Sequence, residues 1–358
     1  MRILLVRLRL IGDVVFTTPI IRALRRLQPT SHIAYLVEPA AAPVLRGNPH
    51  LDDLIIAPRR GGAGRLLDDL TLAGRLRRER FDVAIDLHGG PRAAWLTRAT
   101  GAPMRIGYDM PGRSWMYTHR VQRSPDLAPR HSVLNQWDLL APLASSGVER
   151  LGIGDCAPER DPVEMTEDPA AAERVARRFA EAGIHDGHRI VVVHVSAGNE
   201  FRRWPEEAFC SMIAGLAARD PHCRVIVVSG PSDAQAAARV TDTTRSRLSS
   251  PESLPPLLDW DLNELRALVA RAAVYIGGDS GPLHVASTTG TPIVALLGPT
   301  LPERSRPWRD ARLRAEMVDA GPLPCRPCDQ RRCIPGDFRC LTRITPEQVL
   351  AAVERVLR

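Results

Sequence analysis

Short apolar runs alternate with longer amphipathic stretches along almost the whole chain. The runs Ile3–Val6, Ile33–Val37, Val83–Asp86, Ile190–His194, Val225–Ser229, Val274–Gly277 and Ile293–Leu297 read as strands buried on both faces. Between and after them, apolar residues recur at helical spacing over Asp13–Leu27, Arg65–Arg80, Val133–Ala144, Pro169–Ala182, Pro205–Arg219, Leu262–Ala272, Pro282–Thr289 and Pro346–Leu357. Strand–helix–strand repetition implies βαβ units, hence parallel sheets with helices on both faces. The rhythm breaks at Cys156–Asp168, a polar, proline-bearing stretch that reads as a linker. The predicted fold class is α/β, with two doubly wound Rossmann-like domains facing a central cleft. Residues 1–160 form the first domain, residues 161–344 the second and residues 345–358 a terminal helix. That helix is opened by Thr345-Pro346-Glu347, and its packing is open between the two domains, including a return onto the first. Arg59–Gly64 reads as a mobile loop. Ligands of such sheets bind beyond the carboxyl ends of the strands.

The length of 358 residues agrees with two domains. A hydrophobic share of 44% with 25% charged residues excludes a wholly disordered or fibrous chain. No apolar run is long enough to span a bilayer, and Met1–Arg7 reads as a buried strand rather than a secretory leader. The net charge is +7, and all 48 fixed cations are arginine. Genome composition explains an arginine-only chain. Guanidinium groups also bind phosphates as a bidentate fork, so a phosphorylated small molecule or an anionic membrane surface fits the charge. Aromatics are not interleaved with the basic residues, which argues against nucleic acid as a partner.

Three loops carry candidate chemistry. After the first strand, Ile11-Gly12-Asp13 makes a tight turn that puts Asp13 at a helix start, as an N-cap or as a general base. After another strand, Gly277-Gly278-Asp279-Ser280-Gly281-Pro282-Leu283-His284 enters a helix. Ser280 and Pro282 suit the helix start, but a capped helix needs neither Asp279 nor His284. A diphosphate site accounts for both. The segment His194–Pro205 contains Ser196, Arg202 and Arg203, which read as a phosphate loop with its counter-charge or as a solvated loop.

Seven cysteines, an odd number, argue for a reducing compartment. Cys325, Cys328, Cys333 and Cys340 are clustered within sixteen residues. They read as a closed structural zinc or iron site, two disulfides or reduced thiols.

Together these motifs resemble glycosyltransferase family 9, the ADP-heptose:lipopolysaccharide heptosyltransferases. The likeness rests on Arg2–Arg7 with Ile11-Gly12-Asp13 and Thr17-Thr18-Pro19, on Asp279–Ala286, on Gly290-Thr291-Pro292, and on Leu297-Gly298-Pro299-Thr300. The cysteine spacing with Cys340-Leu341 and Ile344 resembles the tail of heptosyltransferase II-type members. The resemblance implies a GT-B fold and inverting transfer from ADP-heptose to a lipid-linked core oligosaccharide, with no cofactor for catalysis. It implies Asp13 as general base and Ser196, Arg202, Asp233, Trp260, Asp279, Ser280, Gly281 and His284 as donor contacts. His88, Arg92 and Arg105 match acceptor contacts by position only. Members usually carry lysine where Arg202 stands and a longer carboxylate where Asp233 stands. A lipid-linked acceptor implies a cytoplasmic protein in peripheral contact with the cytoplasmic face of the inner membrane. The alternatives are a member of the same family with another sugar nucleotide or acceptor, and a non-catalytic nucleotide-sugar-binding protein.

Overall fold

In a computed structural model of the chain, residues 1–58, 63–125, 127–145, 154–195 and 199–358 are described below. The Arg59–Gly64 loop expectation falls mostly on residues outside this set; Gly64 itself lies in a helix, Ala63–Arg78. The chain divides into two compact units, Met1–Thr166 and Glu167–Arg358, with the division inside the stretch read as a linker.

The first unit is built on β1 (Arg2–Val6), β2 (His32–Val37), β3 (Asp53–Ile56), β4 (Val83–Asp86), β5 (Met104–Tyr108) and β6 (His119–Val121). They form one parallel sheet in the order β3-β2-β1-β4-β5-β6, the doubly wound order whose switch point lies between β1 and β4. Leu4, Val6, Ala34, Leu36, Ile55 and Ala84 pack on one face against Leu72, Leu76, Ala93 and Leu96 from the helices Ala63–Arg78 and Pro91–Ala99. Ile3, Leu5, Ile33 and Tyr35, the alternate positions, are buried as well. Burial on both faces is the reason these strands read as continuous apolar runs.

The second unit holds β7 (Arg189–His194), β8 (Cys223–Val228), β9 (Val274–Gly278), β10 (Ile293–Leu297) and β11 (Ala315–Asp319). This sheet is also parallel, ordered β11-β10-β9-β7-β8, with its switch point between β7 and β9. Val191, Val193, Val225, Val227, Val274 and Ile276 face one apolar layer, while Ile190, Val192, Ile226, Val228 and Tyr275 face the other. The period of two sends these alternating apolar positions to opposite layers. The terminal helix Pro346–Leu357 buries Val349, Leu350, Val353 and Val356 in the first of these layers, against the helix Glu206–Arg219. It therefore packs within the second unit, one of the placements the sequence left open. Trp204 holds the preceding turn, donating from Nε1 to the Ile344 carbonyl at 2.9 Å.

Other expectations are refined. The stretch Asp13–Leu27 is two helices, Ile11–Val15 and Thr18–Leu27, separated at Thr17, whose hydroxyl donates to the Val14 carbonyl at 2.6 Å. The strands β3, β5, β6 and β11 and the helices Pro91–Ala99 and Ala234–Arg245 were not anticipated. None of the described helices is long and apolar enough to cross a membrane.

Candidate active-site residues

In the first unit, the residues beyond β1 and β4 meet at the switch point. Asp13 lies in the first turn of Ile11–Val15, which follows directly on Leu10 at φ +67°, an uncommon backbone for a residue with a Cβ. The Asp13 side chain keeps 28% exposure and pairs with Arg7, the residue after β1. Arg7 Nη1 donates to the Leu87 carbonyl at 2.5 Å, so the guanidinium bridges the loops after β1 and β4.

Beside it, the β4 terminus is held by Asp86. Its carboxylate accepts from the backbone N–H of His88 at 2.8 Å and of Gly89 at 2.9 Å, and from the Tyr117 hydroxyl at 2.6 Å. The Tyr117 ring crosses Gly107 so closely that a Cβ there would lie 2.4 Å from it, which is why the position is glycine. Burial pushes the Asp86 carboxyl above its ordinary range despite these bonds. His88 is driven the other way. Burial, then the charges of Arg7 and Arg9, lower it to about 4, so the ring is neutral near pH 7.

Of the positions matched to acceptor contacts, only His88 lies in this cluster. Arg92 is half-buried and engaged elsewhere. It pairs with Glu38 at 2.7 Å and Asp69 at 2.6 Å and donates to the Pro58 carbonyl at 2.6 Å. Arg105 folds back along β5, donating to the Ala102 carbonyl at 2.6 Å and the Met116 carbonyl at 3.0 Å. Both arginines hold the unit's own backbone and carboxylates.

In the second unit, the loops after β7 and β9 meet at the other switch point. Arg202 ends a short turn, Glu200–Arg202, and its Nη1 lies 3.0 Å from Asp279 Oδ2 while donating to the Asp279 carbonyl at 3.2 Å. Its Nε donates to Gln330 Oε1 at 2.7 Å. Nη2 has no partner among the described residues, and the side chain keeps 29% exposure. The loops approach so closely that a Cβ on Gly278 would lie 3.3 Å from the Arg202 carbonyl. His284 Nε2 stands 3.6 Å from Asp279 Oδ1. Burial works against the Asp279 charge, but the His284 hydrogen bond and the Arg202 charge outweigh it and hold the carboxyl below its ordinary value.

Ser280 does not cap the helix Gly281–Ala286 with its side chain; the hydroxyl turns back to the Gly278 carbonyl at 3.2 Å. Asp233, after β8, is buried and paired with Arg203 at 3.1 Å, so the two consecutive arginines diverge to different loops. Trp260 packs against the apolar layer that holds Ile190 and Val192, with the Arg178 guanidinium 4.8 Å from its ring centre. Ser196 lies outside the described residues.

The four clustered cysteines are free thiols lining one small cavity of about 30 Å³ with Phe201 and Pro299. Among the described residues, no group of three or more His, Cys, Asp or Glu side chains is arranged to hold a metal ion. This arrangement lends the zinc or iron reading no support: the thiols share one cavity as free cysteines. Sequence reasoning missed Arg7, Asp86, Tyr117 and Gln330. Arg7 carries a readable signal, a cation directly beyond a buried strand and six residues before the candidate base. Gln330 carries none, because its partners are more than a hundred residues away.

The model of glycosyltransferase family 9 (heptosyltransferase) matches residues 70–337. The lipopolysaccharide heptosyltransferase 3 of Escherichia coli is 28% identical over 353 residues, spanning 98% of this chain and 97% of the relative. Among solved structures, a family 9 glycosyltransferase from Veillonella parvula superposes with a TM-score of 0.82 at 24% identity, covering 99% of this chain and 97% of its own. The E. coli ADP-heptose LPS heptosyltransferase II superposes at 0.76 with 18% identity, covering 100% and 98%. These two likenesses bear on the fold, and they agree with two doubly wound units of the GT-B class. With residues 70–337 matched to the family model, the chain belongs to glycosyltransferase family 9, the heptosyltransferases.

Proposed function

We propose that the protein is an inverting heptosyltransferase that moves heptose from ADP-heptose to the inner core of lipopolysaccharide. The observation that carries the donor half is the Arg202 fork. It is held on one side by the buried, ionised Asp279, with His284 beyond it, and on the other by Gln330, with Nη2 unengaged among the described residues. A guanidinium fixed in this way offers a charge-assisted donor to a diphosphate and keeps it as charge develops on the leaving group. Support for the donor also comes from the relative whose name contains ADP-heptose.

In the proposed step an acceptor hydroxyl attacks the anomeric carbon from the face opposite the diphosphate. The new C–O bond forms as the bond to the β-phosphate oxygen breaks, and the electron pair leaves with ADP. The hydroxyl proton passes to Asp13, whose carboxylate is oriented by Arg7 and partly open to solvent. His88, neutral near pH 7, serves as an uncharged hydrogen-bonding contact for the acceptor. Asp233 and Trp260 serve the nucleoside end of the donor. Arg92 and Arg105 act through the unit's structure instead.

The acceptor is lipid-linked in this reading, and contact with the membrane is peripheral. It is supported by the net charge of +7 and by the helix Ala63–Arg78. Leu66, Leu67 and Leu70 on that helix are 64%, 67% and 52% exposed, ahead of Arg75, Arg77 and Arg78. Mass spectrometry of products from ADP-heptose and a panel of core oligosaccharides tests the function. Transfer from UDP- or GDP-sugars but not ADP-heptose would replace the donor, and binding without turnover across the panel would remove the enzymatic reading.

A further inference from the structure

The cysteine-rich segment has no part in the step above, yet it is fastened to the donor loops of its own unit. Cys328 N–H donates to the Pro299 carbonyl at 3.4 Å. Arg326 pairs with Asp319 at 2.7 Å and donates to the Thr300 carbonyl at 2.9 Å. Phe338 sets its ring 5.5 Å from that of Phe201, next to Arg202. Within this frame Gln330 takes a left-handed backbone, φ +58°, and its half-buried side chain reaches the loop after β7. There Oε1 accepts from Arg202 Nε at 2.7 Å and from Asn199 Nδ2 at 2.8 Å. Both neighbours are donors, so the amide must present its oxygen, and that oxygen serves two side chains of the donor loop at once.

A guanidinium on a long stem has several rotamers, and ordering it costs entropy on binding unless it is ordered beforehand. Asp279 alone fixes one arm of Arg202 and leaves rotation about that contact. The second contact, at Nε, removes the rotation and determines where Nη2 points. We propose that Gln330 is a positioning residue, and that the cysteine-rich segment is the arm that brings it to Arg202 so that the fork is aimed before the nucleotide diphosphate arrives. This rests on the reading of Arg202 as the donor's counter-charge.

The test is a double-mutant cycle read as the affinity for ADP by titration calorimetry, together with KM for ADP-heptose and kcat. Gln330→Ala is expected to weaken ADP and to raise the donor KM by about three- to tenfold, with kcat within about twofold, less than the loss of the charge-assisted contact itself because the guanidinium remains and only its ordering is lost. Gln330→Glu keeps the acceptor oxygen and is expected to restore ADP affinity to within about twofold of wild type. In an Arg202→Ala background, Gln330→Ala is expected to change ADP affinity no further, because its effect is routed through the missing guanidinium. Additive losses would overturn the proposal, as would wild-type ADP affinity in Gln330→Ala, while Arg202→Ala still weakened ADP. Wild-type ADP affinity in Arg202→Ala would instead overturn the donor reading itself. Circular dichroism of each variant separates these outcomes from misfolding, and Gln330→Glu keeps the test available if Gln330→Ala does not fold.

Discussion

Arg7 holds the carboxylate of Asp13, one residue beyond β1 gripping one in the first turn of the helix that follows. The pair orients a partly exposed carboxylate, and the second arm of Arg7 ties it to the Leu87 carbonyl beyond β4. Asp13→Asn keeps the shape and a hydrogen-bond acceptor toward Arg7 but cannot take up a proton. It is expected to fold, by circular dichroism, and to lose turnover by ~10²–10⁴-fold, the usual worth of general-base catalysis. Turnover near wild type would remove Asp13 from the chemistry.

Arg202→Ala is expected to weaken ADP-heptose and ADP together, since the guanidinium meets the diphosphate in substrate and product alike. The loss of a hydrogen bond to a charged group costs ~1.5–3 kcal/mol, about ten- to a hundredfold in affinity. The Asp279 carboxylate, left buried without that partner, adds a drop in melting temperature that Arg202→Lys should partly recover. Unchanged donor KM and unchanged inhibition by ADP would exclude the assignment.

His88 makes stability depend on acid. Its pKa is about 4 in the folded protein against an ordinary 6.5, so on acidification the unfolded chain takes up the proton first. The contribution is fully present above about pH 6.5 and is lost as the pH falls through the folded value near 4. His88→Gln removes this dependence. Denaturant unfolding at several pH values is expected to give the variant a flatter curve in that window, and parallel curves would contradict the burial argument.

The thiols should differ in reactivity. Burial, then the neighbouring Cys328, Cys325 and Cys333, push Cys340 up to about 11, and burial with Asp161 pushes Cys156 up to about 12. Cys210 and Cys223 are buried. Limited alkylation near pH 8, read by peptide mass spectrometry, is expected to mark Cys340 and Cys156 more slowly than a free thiol in solution, because the thiolate is the nucleophile. Labelling of Cys340 at an equal rate would show that its surroundings do not suppress the thiolate.

Partition to vesicles is expected to require anionic lipid and to fall with salt, at roughly 1 kcal/mol per arginine near the surface and within a Debye length. Replacing both Leu66 and Leu67 by Ser should lower it further without changing activity on a soluble acceptor. Equal partition to neutral and anionic vesicles would refute peripheral contact.

Much of this molecule was legible along the chain. The central strands could be read because burial on both faces leaves an unbroken apolar signature, as in Ile3–Val6 and Val191–Val193. The strands β3, β6 and β11 escaped because each is an edge strand of its sheet with partly exposed positions, so the apolar run is diluted. Asp13, Asp279 and His284 stood out as candidates because each lies in the loop or short helix that follows an apolar run, where a doubly wound sheet exposes its carboxyl edge.

What the sequence alone determined was therefore local: the βαβ rhythm, the position of the linker and the loops that carry charge. Tertiary structure decided which charges meet. Arg202 and Arg203 are adjacent in sequence, yet one turns to Asp279 and the other to Asp233. Arg92 is engaged by Glu38 and Asp69, and the four clustered cysteines are brought to line one cavity. Gln330 reaches Arg202 across 128 positions of chain. Spacing along a chain limits where a side chain can go. Which partner it finds depends on the packing of elements far away in sequence, and for charged and thiol groups a shift of one or two ångströms separates a bond from a near miss.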